Sequence, residues 1–197
     1  MPIVVRSASP DEASAVSAVI LLAFATDPMA RWSLGNAQTY LAVMPDLIRA
    51  FGAASYDSGS AYVTDDFGGA ALWLPPGVYP DMESLDRLVR TNADPAILSD
   101  VDAIFEGMER YHPQTPHWYL PLIGTDPTQQ ARGIGGALMH HALERCDRDG
   151  VAAYLESSNP RNIPLYQRHG FEILGTIQHG SSPILTPMLR PAQSDRN

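Results

Sequence analysis

The pattern of apolar and polar positions predicts alternating strands and helices along the chain. Short β-branched or aromatic runs, typical of strands, occur at residues 3–8, 60–64, 70–74, 117–124, 151–156, 171–177 and 183–189. Apolar residues at helical spacing occur in segments 10–27, 37–51, 82–90, 97–111, 137–149 and 160–168. Pro45 lies inside the second of these helices and predicts a kink or an early break there. The order of elements predicts a single α/β domain.

Domain limits follow from the same pattern. The domain is predicted to span residues 3–189, and the polar segment 190–197 is predicted to be a disordered tail. A turn-rich connector is expected at 52–59 and a hairpin turn at 65–69, where acidic residues and glycines separate two strands. The chain contains no internal repeat and no low-complexity linker.

Composition excludes several classes of function. The net charge of −9 argues against a nucleic-acid surface, which usually carries a basic patch. All 13 basic residues are arginine, so lysine chemistry such as a Schiff base is excluded. The single cysteine, Cys146, rules out an internal disulfide and is expected to be a buried structural thiol. No His, Asp and Glu cluster has metal-site spacing, and no metal is predicted.

Signals for export or membrane insertion are not found in the sequence. The N-terminus has no signal-peptide layout, and no apolar run approaches the roughly 20 residues that a membrane span needs. We therefore expect a cytoplasmic protein, a monomer or homodimer, that binds neither a membrane nor nucleic acid.

The glycine-rich stretch at residues 129–138 carries the main functional signal. It lies between the strand 117–124 and the helix 137–149, an arrangement that holds anions at the free amides of a helix N-terminus. Arg132 adds a fixed positive charge. A P-loop is excluded because it needs a lysine, and a dinucleotide fold is disfavoured because the third glycine of its motif is missing. Tight packing of the strand on the helix remains the alternative role for these glycines.

Two blocks of sequence resemble a known family. Gln130-x-x-Gly133-x-Gly135 resembles the acetyl-CoA signature of the GNAT superfamily of N-acetyltransferases, and residues 157–171 are similar to its second block, ending in Tyr166-x-x-x-Gly170-Phe171. Pieces at 24–28, 71–73, 117–120 and 154–166 further resemble the branch of puromycin N-acetyltransferase. The resemblance implies a GNAT-like fold: a central mixed sheet of about seven strands flanked by helices on both faces.

The resemblance also implies a two-part site for acetyl-CoA. The strand end, Ile123, Gly124 and Thr125, would pair with the pantetheine arm. The pyrophosphate would be held by the loop residues Gln130, Ala131, Arg132, Gly133, Ile134, Gly135 and Gly136. Either Asn159 or Asn162 would touch the cofactor or, instead, cap the following helix.

Catalytic roles follow from the same resemblance. The Tyr166 hydroxyl would lie by the cofactor sulfur and protonate the departing thiolate, unless the ring is only a core aromatic. Glu156 is expected to face the acceptor and take its proton, and Asp27 to shape the acceptor pocket. Structural roles remain the alternatives, with Glu156 as a paired acid and Asp27 as the cap of a turn before proline.

The predicted activity is direct transfer of an acetyl group from acetyl-CoA to a small-molecule primary amine. Direct transfer is favoured because the sequence offers no activated nucleophile for a covalent intermediate. The acidic net charge suits a cationic amine. The alternatives are a protein or peptide N-acetyltransferase and a non-catalytic acyl-CoA-binding module.

Overall fold

One seven-stranded sheet forms the centre of the protein, whose computed structural model describes residues 3–193. In chain order the strands are β1 Val5–Ser7, β2 Ala61–Thr64, β3 Gly69–Leu74, β4 His117–Thr125, β5 Ala152–Ser157, β6 Glu172–Ile173 and β7 Thr186–Arg190. Across the sheet the order is β1-β2-β3-β4-β5-β7-β6. Only β4 and β5 pair in parallel; the other neighbours are antiparallel. The predicted mixed sheet of about seven strands is confirmed.

Eight α-helices connect the strands within residues 3–193. They are α1 Ala13–Ala23, α2 Pro28–Ser33, α3 Ala37–Gly52, α4 Ala54–Asp57, α5 Met82–Asn92, α6 Leu98–Tyr111, α7 Ile134–Asp149 and α8 Ile163–Arg168. Within this part of the chain, no helix is both long and apolar enough to cross a membrane.

Helices cover both faces of the sheet, as the alternation of side chains along β3 demonstrates. Ala70 and Leu72 pack with residues of α1, α3 and α5, whereas Ala71 and Trp73 pack with residues of α7 and α8. Successive side chains of a strand point to opposite faces, so β3 separates two apolar clusters. Cys146 on α7 is fully buried in the second cluster, and its burial raises the pKa of the thiol to about 12.

Three helical predictions differ from the structure. The helix expected over 10–27 ends at Ala23, and residues 28–33 form the separate helix α2. Of the kink or early break expected at Pro45, the break is absent, because α3 runs through Pro45 as one helix. The flanking turns bury Val43, Met44, Leu47 and Ile48, and this burial offsets the loss of one backbone hydrogen bond. The expected 52–59 connector contains the short helix α4.

The boundaries of several helices and strands also differ from the predicted ones. Helix α7 begins three residues earlier than predicted, at Ile134, because Gly133 adopts a left-handed φ of 88° and ends the preceding loop. The strand expected over 171–177 is reduced to the two residues of β6. The last strand extends to Arg190, one residue into the predicted tail, where its guanidinium pairs with Asp147. Residues 194–197 of that tail lie outside the described residues.

The separation of β4 from β5 creates the opening in which the candidate site lies. The two strands pair only from His117 to Tyr119 with Ala152 to Tyr154. Beyond Tyr119, β4 continues beside β3 through a register shift, while β5 continues beside β7. Over residues 120–125, therefore, one backbone edge of β4 has no strand partner within the described chain.

Candidate active site

A cavity of about 170 Å³ lies where β4 and β5 separate. Residues 119–123 of β4 form one wall, and Leu155 and Glu156 of β5 form another. The cavity brings together five of the residues predicted from the sequence: Asp27, Ile123, Glu156, Asn162 and Tyr166. The other predicted site residues lie on the strand end, in the glycine loop or before the 3-10 helix at 160–162.

Tyr166 lies on α8 with only 5% of its surface exposed. Its ring packs edge to face against Phe171, with ring centroids 6.2 Å apart, while the residue also lines the cavity. Burial, and secondarily the charge of Asp27, raises the pKa of the Tyr166 hydroxyl above its ordinary value. The phenol is therefore protonated at neutral pH and can donate a proton. Its packing role and its place in the cavity are compatible.

Asp27 joins two distant parts of the cavity wall. One carboxylate oxygen, Oδ1, accepts a hydrogen bond from the Ala30 amide at 3.0 Å and so caps α2. The other, Oδ2, accepts from the Ser158 hydroxyl at 2.6 Å. Burial raises the pKa of Asp27, and these two hydrogen bonds oppose that shift. The expected capping role is realised, and the residue also borders the cavity.

Glu156 lies near the end of β5, with its Oε1 atom buried and without a hydrogen-bond partner among residues 3–193. Burial raises its pKa to about 7, against the opposing influence of the Tyr119 and Tyr154 hydroxyls. A carboxyl group with a pKa near neutrality can take up and release a proton at physiological pH. None of the ion pairs found in residues 3–193 involves Glu156, which does not favour the alternative of a paired structural acid.

The sequence reasoning missed a pair of histidines, His112 and His117, of which His112 lines a cavity together with Glu156. His117 Nδ1 contacts the Thr115 carbonyl oxygen at 2.8 Å, and His117 Nε2 lies 3.0 Å from His112 Nε2. The His112 ring stands edge-on to Tyr119 and Tyr154, with centroids 5.1 and 5.0 Å away. Burial and then His117 lower the pKa of His112 to about 4, so it is neutral at pH 7. The period of two that places His117 and Tyr119 on the same face of β4 was the available signal.

The glycine loop leaves the N-terminus of α7 open. Gly133 is the N-cap residue, and no side chain caps this helix. First-turn amides of an uncapped helix can bind an anion. Ala131 adopts a left-handed φ of 61°, which costs a non-glycine residue about 1–2 kcal/mol. Arg132 is exposed, and no ion pair found in residues 3–193 involves it.

The glycines of this region differ in how much space the surrounding atoms leave for a side chain. A Cβ on Gly124 would lie 2.6 Å from the Ala23 Cβ, so close packing of α1 on β4 requires glycine there. A Cβ on Gly135 would lie 3.3 Å from Leu165, which is tight. A Cβ on Gly136 would have no atom within 4 Å. Packing therefore explains Gly124 and in part Gly135, but it does not explain Gly136.

The two candidate asparagines, Asn159 and Asn162, differ in their hydrogen bonds and in their position relative to the cavity. Asn159 Oδ1 accepts a hydrogen bond from the Arg161 amide at 3.1 Å and caps the 3-10 helix at Pro160–Asn162. Asn162 is the N-cap residue of α8 but makes no capping bond with its side chain, and it lines the cavity. Of the two, only Asn162 combines a free side-chain amide with a position at the cavity.

Part of the chain is similar to a known protein family. Residues 98–171 match the model of the Acetyltransferase (GNAT) family, and this segment includes β4, the glycine loop, β5 and α8. The matched segment and the acetyltransferase relatives support an acetyl-CoA-dependent acyltransferase. Over residues 98–171 the chain is similar to the GNAT acetyltransferases.

Individual relatives support the same assignment. An uncharacterized N-acetyltransferase of Schizosaccharomyces pombe is 26% identical over 175 residues, which cover 79% of this chain and 68% of that protein. Shorter matches to mycothiol acetyltransferases of Brachybacterium faecium and Mycolicibacterium gilvum cover only 17% and 21% of those proteins. A Corynebacterium glutamicum structure described as histone acetyltransferase HPA2 and related acetyltransferase superimposes with a TM-score of 0.71 at 25% identity, covering 100% of both chains. Drosophila melanogaster polyamine N-acetyltransferase has the same fold, with a TM-score of 0.64 at 15% identity over 96% of this chain and 100% of its own.

The residues present fit acetyl-CoA at two places. The open N-terminus of α7, with Arg132 before it, offers amide donors and a positive charge to a pyrophosphate. The free edge of β4 at residues 120–125 offers backbone donors and acceptors to an amide-containing arm. The pyrophosphate and the amide-containing arm are two chemically different parts of acetyl-CoA, and neighbouring segments of the chain offer suitable groups to both.

Proposed function

We propose that the protein transfers an acetyl group from acetyl-CoA directly to a primary amine of a small molecule. The observation that carries this proposal is that Glu156 and Tyr166, one suited to accept a proton and one to donate a proton, line the same cavity. Direct transfer is favoured because Cys146, the one thiol of the chain, is fully buried and its pKa is raised.

Acetyl-CoA supplies an acetyl thioester that is activated toward amines. In the proposal, Ile123, Gly124 and Thr125 present the free edge of β4 to the pantetheine arm. Loop residues 130–136 surround the pyrophosphate with backbone amides, and Arg132 adds its charge. We assign the asparagine contact to Asn162, because the Asn159 amide oxygen already caps the 3-10 helix that follows it.

Glu156 is proposed as the proton acceptor. An amine must lose its proton before it can attack, and the carboxylate can accept a proton because its pKa is about 7. During transfer a C–N bond forms and the C–S bond breaks. The Tyr166 hydroxyl is proposed to protonate the departing sulfur, and the raised pKa of this phenol keeps the proton available until that moment.

Asp27 is proposed as a wall of the acceptor pocket rather than as a base. Both of its carboxylate oxygens accept hydrogen bonds, from Ala30 and Ser158, so neither is free to take a proton at low cost. Its buried charge nevertheless adds to a negative field that favours a cationic acceptor.

The finer placement in the branch of puromycin N-acetyltransferase is part of this proposal. It rests on the motifs at 24–28, 71–73, 117–120 and 154–166. We propose that the site has the architecture of this branch. We do not propose puromycin as the acceptor, because the loops that border acceptors vary within a branch.

A thiol-release assay with acetyl-CoA tests the proposal. The panel should contain aliphatic and aromatic amines, amino acids, aminoglycosides and lysine-containing peptides. Turnover with free amines is the expected result. Turnover with peptides alone would replace the small-molecule acceptor by a protein acceptor. Binding of acetyl-CoA without turnover on any acceptor would favour the non-catalytic module.

A further inference from the structure

A second cavity, of about 760 Å³, shares Tyr119 and Glu156 with the first. We call it the α5–α6 groove, because most of its lining residues belong to α5, to α6 and to the segments next to them. Its apolar lining includes Phe105 and Met108, and Tyr79 and Met82 at its surface are 67% and 52% exposed. The groove is therefore an open cavity with aromatic and aliphatic lining that also contains the proposed proton acceptor, Glu156.

Negative charge dominates the polar part of this groove. Five carboxylates and one guanidinium line it: Asp86, Asp102, Glu106, Glu109, Glu156 and Arg90. The guanidinium of Arg90 is held by Asp86 and Asp102, at 2.7 Å from each, so it compensates none of the glutamates. His112, which also lines the groove, is neutral at pH 7.

Two of the glutamates have no ionic partner in the described chain. Glu106 and Glu109 lie on exposed positions of α6 and form no ion pair within residues 3–193. A carboxylate cluster alone is an ordinary solvated surface. Here, however, the cluster belongs to a cavity that also contains the buried, unpartnered Oε1 of Glu156. The groove thus combines an apolar surface with exposed carboxylates and with the buried carboxyl group of Glu156.

We infer that the acceptor is a linear aliphatic diamine or polyamine. This inference rests on the proposed function. The reacting amine lies at Glu156, the methylene chain packs on Tyr79, Met82 and Met108, and the second ammonium group lies at Glu106 and Glu109. A charged group near one or two carboxylates at a protein surface gains on the order of 1 kcal/mol, which is about a factor of five in kcat/KM.

The test compares two amines of equal chain length, cadaverine (a five-carbon diamine) and n-pentylamine. We expect kcat/KM at low ionic strength to be at least about fivefold higher for the diamine. The double variant Glu106→Gln/Glu109→Gln should remove that preference by lowering kcat/KM for cadaverine to the value for n-pentylamine. Glu83→Gln is the matched control, because it neutralises an exposed glutamate of α5 that does not line the groove.

Ionic strength provides a second readout that needs no variant. Added salt should lower kcat/KM for cadaverine more steeply than for n-pentylamine, because salt screens exposed charges. Equal kcat/KM for the two amines in the wild-type protein would overturn the inference, as would a double variant that keeps the preference or a lysine peptide that is preferred to every diamine. Turnover of n-pentylamine in those cases would still support the proposed function, whereas absence of turnover with every amine would overturn both.

Discussion

Ser158 donates a hydrogen bond of 2.6 Å to Oδ2 of Asp27 across a sequence separation of 131 residues. The bond ties the start of α2 to the end of β5 and thereby fixes two walls of the cavity relative to each other. Since Asp27 is only 6% exposed, the hydroxyl compensates a carboxylate that water reaches poorly.

Ser158→Ala should therefore destabilise the protein. The substitution leaves one buried carboxylate oxygen without a partner, and such a loss costs about 1–3 kcal/mol. Urea denaturation at neutral pH measures the change in the free energy of unfolding. Ser99→Ala, at an exposed position of α6, is the control and should change stability by less than about 0.5 kcal/mol. Equal effects of the two substitutions would show that the bond to Asp27 contributes nothing.

Glu156→Gln should abolish the part of the rise of kcat/KM with pH that reflects ionisation of this carboxyl group. Because the pKa of Glu156 is about 7, wild-type kcat/KM is expected to rise as pH increases through 7 and the carboxylate becomes available. The variant should lose about 10²-fold in kcat/KM at pH 8 and retain only the rise caused by deprotonation of the amine itself. An unchanged profile from pH 5 to 9 would exclude Glu156 as the proton acceptor.

Glu156→Gln should raise the stability of the folded protein at high pH, although it lowers kcat/KM. Glu156 has a pKa of about 7 in the folded protein and 4.5 as its ordinary value. Its contribution to stability is full below pH 4.5 and is lost as pH rises through 7, because the folded state then holds a buried charge. Above pH 8, Glu156→Gln should therefore be more stable than the wild type by on the order of 1–3 kcal/mol. Thermal unfolding at pH 5 and pH 8 checks this, and a variant less stable at both pH values would contradict it.

Tyr166→Phe should lower kcat by about 10²-fold while leaving acetyl-CoA affinity nearly unchanged. The ring and its contact with Phe171 are retained, so the change removes only the proton donor. Tyr62→Phe is the matched control, because Tyr62 is also buried but does not line the cavity. Full activity of Tyr166→Phe would assign the proton to another donor.

Arg132→Glu should weaken acetyl-CoA binding about tenfold or more, as measured by calorimetry. The substitution replaces an attractive charge by a repulsive one at the open N-terminus of α7. Arg148→Glu reverses the same charge at the other end of that helix and should leave the affinity unchanged. If both variants bind acetyl-CoA equally well, the glycine loop does not hold the pyrophosphate.

Local chemistry explains why the glycine loop could be predicted from the sequence. An anion-binding turn depends on glycines, on the start of a helix and on a nearby arginine, all within residues 129–138. The structure retains this order and moves only the start of the helix, from 137 to Ile134. Strands β2 and β3 could equally be predicted from the sequence, because their β-branched or aromatic runs are bounded by acidic and glycine-rich turns.

Contacts between distant segments explain what was missed. The contact between His112 and Tyr154 depends on how α6 meets the β4–β5 pair, and neither segment alone predicts it. The bond from Ser158 to Asp27 depends equally on long-range packing. Helix α2 is only six residues long, too short for a periodic apolar pattern, although Asp27-Pro28 is an N-cap followed by proline at the first helical position.

The close approach of α1 to β4 at Gly124 limits how acceptor specificity can be changed. The Ala23 Cβ lies where a side chain on residue 124 would be, so the end of α1 packs directly on the edge of β4. Asp27 follows that helix after a single turn. A loop graft that exchanges α2 for that of another acetyltransferase should therefore start after Ala23, since a boundary inside α1 would disturb the strand edge together with the acceptor wall.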